Sequence, residues 1–375
     1  MNAPAGTTAP ADWRARCAAG AAAGVLLCGL GAASNSGQFF RSYLCAYMFW
    51  FGLGIGCLGL LMLHDVVGGE WGDLIRPLLE AGAATLPWLA LLFVPLLFGL
   101  AALYPWARDA AVAADPLLRH KRPYLNAPFF ALRAAAGFAV WCFLSRRLRR
   151  GPAPAAPSRL GAPGLVLYFL TLTFCLVDWT MSLEPRWYSS VYGLLLIAGQ
   201  ALSAMAFAIG GLALLGGGRR LSDALPAKPF VDLGNLLLAC VMLWAYAEFS
   251  QYLIVWSGGV PAEIAWYLRR QQAGWYAAAL VMIAALFVLP FLALLGRRNK
   301  ARLDRLAAIA ALVVAGRALE VFWLVKPAFP PPGAAPHWLD AAAALAIGGV
   351  WLAAFLGRLT IRPFLSESAA PEAVS

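Results

Sequence analysis

Residues 43–64 read YLCAYMFWFGLGIGCLGLLMLH, with no charged residue before the closing histidine. An apolar run of roughly 20 residues is long enough to cross the hydrocarbon of a bilayer as a helix. The same signature recurs at about 17–33, 84–104, 127–145, 163–183, 189–215, 231–256, 272–295, 303–325 and 338–360. The first of the resulting ten spans is Ala/Gly-rich, short and the weakest. With 62% hydrophobic and 13% charged residues, the composition lies outside the range of soluble globular domains. The expected fold class is an all-α membrane protein, with one polytopic domain over 17–360 between cytoplasmic tails at 1–16 and 361–375.

The formal charge of +11 raises nucleic acid as a partner, but the distribution of the charges argues for topology instead. The side of the membrane that holds the N-terminus receives 18 Lys/Arg, the opposite side nine, and two are intramembrane. Under the positive-inside rule that split puts both termini in the cytoplasm, with no nucleic-acid footprint. Trp13-Arg14-Ala15-Arg16 followed by an apolar run to Ala33 loosely mimics a signal peptide. A retained first helix is preferred, because the second then exits with the correct polarity.

All seven cysteines fall in expected spans without a CxxC pair, which suits small apolar packing residues. No iron–sulfur cluster or zinc site is indicated, and His64, His120 and His337 include no two at matched mid-span depth to hold a haem. The expectation is a chain without a redox metal or covalently bound cofactor.

Three connections are long. Residues 65–83 read as a turn followed by an amphipathic interfacial segment. Residues 105–126 form the longest outer loop and carry Arg119-His120-Lys121-Arg122, read either as a solvated loop or as a docking patch for an acidic partner. Residues 151–163 are Pro/Ala-rich and read as a flexible linker. Asn126 is placed to cap the fourth span and Asp232 to face the start of the seventh, while Pro87, Pro95 and Pro290 should kink their helices.

Five ionisable residues fall inside the apolar spans: Arg133, Asp178, Glu248, Arg317 and Glu320. Such side chains cost a few kcal/mol or more in hydrocarbon and mark ion paths, polar ligands or internal pairs. At 1.5 Å per residue each lies roughly 8–12 Å inside the outer end of its span, so all five occupy the outer half of the bilayer. Arg317 and Glu320 share a helix face at i and i+3. One reading pairs Arg133 with Asp178 and Arg317 with Glu248 or Glu320 to fix packing. The other makes Asp178, Glu248 and Glu320 an outer proton-transfer cluster, with Arg133 and Arg317 setting their proton affinity. His64 and Asp65, at the cytoplasmic end of the second span, are either a helix-end anchor or a proton entry.

Several local strings resemble one family. They are Gln38-Phe39-Phe40-Arg41-Ser42-Tyr43-Leu44, Leu103-Tyr104-Pro105-Trp106-Ala107, Tyr124-Leu125-Asn126, Asp232-Leu233-Gly234-Asn235 and Trp244-Ala245-Tyr246-Ala247-Glu248-Phe249-Ser250-Gln251-Tyr252. The run from Asp178-Trp179-Thr180-Met181-Ser182 through Leu183-Glu184-Pro185-Arg186-Trp187-Tyr188-Ser189-Ser190 belongs with them. Together, over roughly 35–330, they resemble the second quinone-binding membrane subunit of alternative complex III (ActF), related to the NrfD/PsrC-type subunits. That resemblance implies ten helices arranged as two four-helix bundles with flanking helices. It also implies a quinol:cytochrome c or quinol:oxidase oxidoreductase of respiratory electron transport, with quinone or quinol as the ligand. Multihaem cytochrome c subunits, iron–sulfur subunits and a paralogous membrane subunit would be the partners. The rival readings are an ion- or proton-coupled secondary transporter, whose sites lie nearer the midplane between broken helices, and a purely structural anchor.

Overall fold

A computed structural model describes residues 11–149, 159–329 and 334–359. The described chain is helical, without strands, and contains ten helices long and apolar enough to cross a membrane. They are Asp12–Ser34, Ser36–Val67, Glu70–Phe98, Ala127–Leu148, Gly161–Leu183, Tyr192–Gly216, Lys228–Gly258, Trp275–Leu295, Leu303–Ala328 and Trp338–Arg358. The side on which the first span begins is called the near side below, and its opposite the far side.

Spans two to five pack on one another as a four-helix bundle, and spans six to nine form a second. The two bundles meet where the second span lies along the sixth. Spans one and ten pair with each other and lean on the second span as a flank. Between lipid-exposed helices close van der Waals approach, rather than expulsion of water, drives association, and small residues allow it. At Gly56 an added Cβ would lie 2.2 Å from the Gln200 carbonyl oxygen, and at Gly24 it would lie 2.4 Å from the Ala346 nitrogen. Glycine at these two positions is what lets spans two and six, and one and ten, cross so closely.

The helix ends follow local chemistry. Asn35 Oδ1 accepts from the Gln38 N–H at 3.0 Å and Asn126 Oδ1 from the Phe129 N–H at 2.9 Å, each satisfying a donor that has no partner within the helix. His337 and Asp340 form a reciprocal capping box that opens the tenth span. The seventh span starts earlier than its hydropathy suggests, at Lys228, so Asp232 sits one turn inside it.

Other expectations are revised. The amphipathic segment is the helix Glu70–Ala83, and its apolar face is not interfacial: Ile75, Leu78 and Leu79 are buried against spans two, six and seven. A turn at Ala84–Thr85 separates it from Leu86–Phe98. Pro87 explains the break, because it offers no N–H to the Ala83 carbonyl and its ring crowds that group. Pro290 acts through a π-helical turn at Ala284–Val288 just before it. The longest outer loop is ordered as short helices at Pro105–Ala107, Asp109–Ala114 and Pro116–Lys121. The helix of the first span begins at Ala11, so part of the expected tail is helical. The linker's residues 151–158 lie outside the described residues, while Gly161–Pro163 already belong to the fifth span. The tail at 361–375 also lies outside them.

Candidate functional site

The five intramembrane ionisable residues separate into two groups, one in each bundle, rather than a single cluster of three carboxylates. In the first bundle Arg133 grips Asp178 with two parallel bonds, Nε to Oδ2 at 2.5 Å and Nη2 to Oδ1 at 3.0 Å. Its remaining Nη1 donates to the Tyr124 carbonyl at 3.1 Å, and the guanidinium lies 3.9 Å from the Tyr124 ring centroid and 4.2 Å from that of Phe129. A bidentate fork capped by two aromatic faces is an arrangement in which a desolvated arginine is satisfied on every side. Next to it, Ser182 Oγ donates to the Asp178 carbonyl at 2.5 Å and the Trp106 indole to Ser182 Oγ at 3.0 Å. This group pins spans four and five together.

In the second bundle Arg317 Nη1 pairs with Glu320 Oε2 one turn along the ninth span, and its Nε donates to Ser203 Oγ on the sixth at 3.0 Å. The Trp244 indole on the seventh span donates to Glu320 Oε1 at 3.1 Å. Arg317 and Glu320 are both buried. Space for the guanidinium comes from Gly199, where an added Cβ would lie 2.3 Å from its nitrogens.

Glu248 is the exception. It lies within electrostatic range of Glu320, Arg317 and Arg270, yet its Oε1 is buried without a hydrogen-bond partner among the described residues. One turn toward the far side on the same helix, Gln251 is buried and accepts from Ser189 Oγ, in the connection between spans five and six. Beyond the span, burial pushes the Tyr267 phenol up, and the Glu248 carboxylate adds to that shift.

A neighbouring charge cluster was not anticipated, because Arg270 and Glu184 fall in segments read as connections. Arg270 is 2% exposed. Its Nη1 donates to Glu184 Oε1 and to the Trp266 carbonyl, both at 3.1 Å, and its Nη2 to the Leu324 carbonyl at 2.7 Å. The guanidinium lies 3.4 Å from the Trp266 ring centroid, and Arg269 reaches the other Glu184 oxygen at 2.9 Å. Burial pushes the Arg270 guanidinium down to about 10, partly offset by Glu184. The cluster fastens the connection between spans seven and eight to the far ends of five and nine.

On the near side His64 and Asp65 are buried and share one cation, Arg76. Arg76 Nη1 lies 3.1 Å from His64 Nδ1 and from Asp65 Oδ1, while His64 Nε2 is 3.0 Å from the Gly69 carbonyl. A guanidinium only donates and a carbonyl only accepts, so the imidazole carries its hydrogen on Nε2. Arg76 also bonds Glu80 at 2.9 Å and the Leu148 carbonyl at 3.2 Å, tying the second span to the helix Glu70–Ala83 and to the end of the fourth span. The i, i+4 spacing of Arg76 and Glu80 was the signal in the sequence that could have exposed this clamp.

Neither the scan against family models nor the search of curated proteins gives a match to this chain.

Proposed function

We infer that this chain is a membrane subunit of a quinol oxidoreductase of alternative-complex-III type, inserted in a bacterial inner membrane with its near side in the cytoplasm. Its role is to support quinol binding and to carry protons, while partner subunits with multihaem cytochrome c and iron–sulfur centres carry the electrons.

The observation that carries the proton role is the contrast among the three far-half carboxylates. Asp178 is held by Arg133, and Glu320 by Arg317 and Trp244. Glu248 alone of the three keeps a buried oxygen without a hydrogen-bond partner among the described residues. A carboxyl oxygen in that setting has no fixed partner and is placed to take up a proton and pass it on when the local charge changes. The bundle arrangement that the family resemblance implies adds support for the class of protein. The positioning of the charges off the midplane weighs against a transporter.

The reading is tested by purifying the tagged protein from its native membrane in mild detergent, then recording a haem spectrum and identifying the subunits. Recovery with c-type haem, iron–sulfur subunits and quinol-oxidising activity is the expected result. Recovery of the chain alone, without haem, would overturn it.

A further inference from the structure

A second feature lies at the far end of the first bundle, away from the Glu248 group. The end of the third span, the loop helices and the start of the fourth span enclose a cleft of about 430 Å³. That is within the roughly 300–1,000 Å³ typical of sites for small ligands. Its walls include Leu100, Val112 and Pro128, together with Phe98, which is 82% exposed where the third span ends. Two opposite charges line the same cleft, Arg122 and Asp109. Neither side chain makes a hydrogen bond or ion pair among the described residues, with each other or with anything else. Asn126, also at the cleft, has its amide engaged with Phe129, Arg122 and Pro123 backbone groups. The free polar side-chain chemistry identified there is thus one cation and one anion, set against an apolar wall at the level where a span meets the membrane surface.

We propose that this cleft binds the headgroup of a zwitterionic, amine-bearing phospholipid. The phosphate meets Arg122, the ammonium meets Asp109, and the acyl chains leave along Phe98 into the hydrocarbon. Each part of the lining selects. A headgroup that ends in neutral hydroxyls would leave Asp109 without a counter-charge, and a quaternary ammonium has no N–H to donate to the carboxylate. A headgroup without acyl chains would forgo the apolar wall.

The test uses the full chain purified in mild detergent and reloaded from nanodiscs holding equal parts of phosphatidylethanolamine, phosphatidylglycerol and phosphatidylcholine, with retained lipid quantified by mass spectrometry. Phosphatidylethanolamine should be enriched. Arg122→Gln and Asp109→Asn should each lower its retention about tenfold, the loss of one charge-assisted contact. Both positions are exposed, so the variants should keep the parent's thermal unfolding midpoint. Retention of phosphatidylglycerol or phosphatidylcholine at or above phosphatidylethanolamine would overturn the proposal, as would undiminished retention in both variants. Displacement of the lipid by soluble glycerophosphoethanolamine at matched concentration would overturn the role of the apolar wall.

Discussion

The Trp244 indole donates to Glu320 Oε1 across 3.1 Å, linking the seventh span to a carboxylate on the ninth. With Arg317 on the other oxygen, Glu320 is satisfied from two directions. Glu248, one turn along the seventh span from Trp244, keeps a buried Oε1 without a hydrogen-bond partner among the described residues. The indole and the guanidinium together engage Glu320 and leave Glu248 outside the network.

Trp244→Phe should remove the donor while keeping most of the packing. A buried acceptor stripped of its partner costs about 1–3 kcal/mol, more when charged. The expected outcome is a lowered thermal unfolding midpoint in detergent, with Trp244→Tyr no better, because its hydroxyl projects from a different place on the ring.

Arg133 and Asp178 should behave as a unit. Removing one partner of a buried pair leaves an uncompensated charge and costs about 3–5 kcal/mol. Arg133→Met or Asp178→Leu alone should therefore destabilise far more than the two combined. Unfolding midpoints of both single variants and the double variant measure this. If the pair only fixes packing, quinol oxidation in the double variant stays near that of the parent.

Gly199→Ala should disturb Arg317 directly, since the new methyl would overlap the guanidinium. Overpacking of this kind costs about 1–3 kcal/mol. Gly210→Ala on the same helix, where a Cβ meets nothing within 4 Å, is the control and should change little.

The loop helix Pro116–Lys121 is latched by Asp115, which accepts from the Leu117 N–H and from Arg186, each at 2.9 Å. The backbone N–H of Leu117, with Arg186 adding to it, holds the Asp115 carboxyl below the usual carboxylate range. A carboxyl with a lowered folded value contributes stability above its ordinary titration range and loses that contribution as the pH falls through the lowered value. Amide-exchange protection factors over 117–121, corrected for the intrinsic pH dependence of exchange, should therefore be unchanged from neutral pH down to the ordinary carboxylate range and fall below it, and Asp115→Ala should abolish that fall.

Hydropathy alone located the ten crossings, because a span needs length and apolarity and both are local properties. The cap at Asn126 and the depth match of Arg133 with Asp178 were legible for the same reason. The choice of Glu320 over Glu248 as the partner of Arg317 was not, since it depends on how the seventh and ninth spans are rotated. Arg270 and Glu184 lie 86 residues apart in connections, and only the folding of those connections over the bundle end buries them together. Likewise the amphipathic pattern of 65–83 suits both a membrane surface and a protein groove. The burial of Ile75 and Leu79 decides for the groove.

In the proposed mechanism Glu248 carries protons while its neighbours hold the frame. Its most direct test is proton release per quinol oxidised by the purified assembly in proteoliposomes, compared between the parent and Glu248→Gln. The variant should assemble with its full set of subunits and lose most of its turnover or of its proton release. Unchanged turnover and unchanged proton release in a fully assembled Glu248→Gln variant would contradict it.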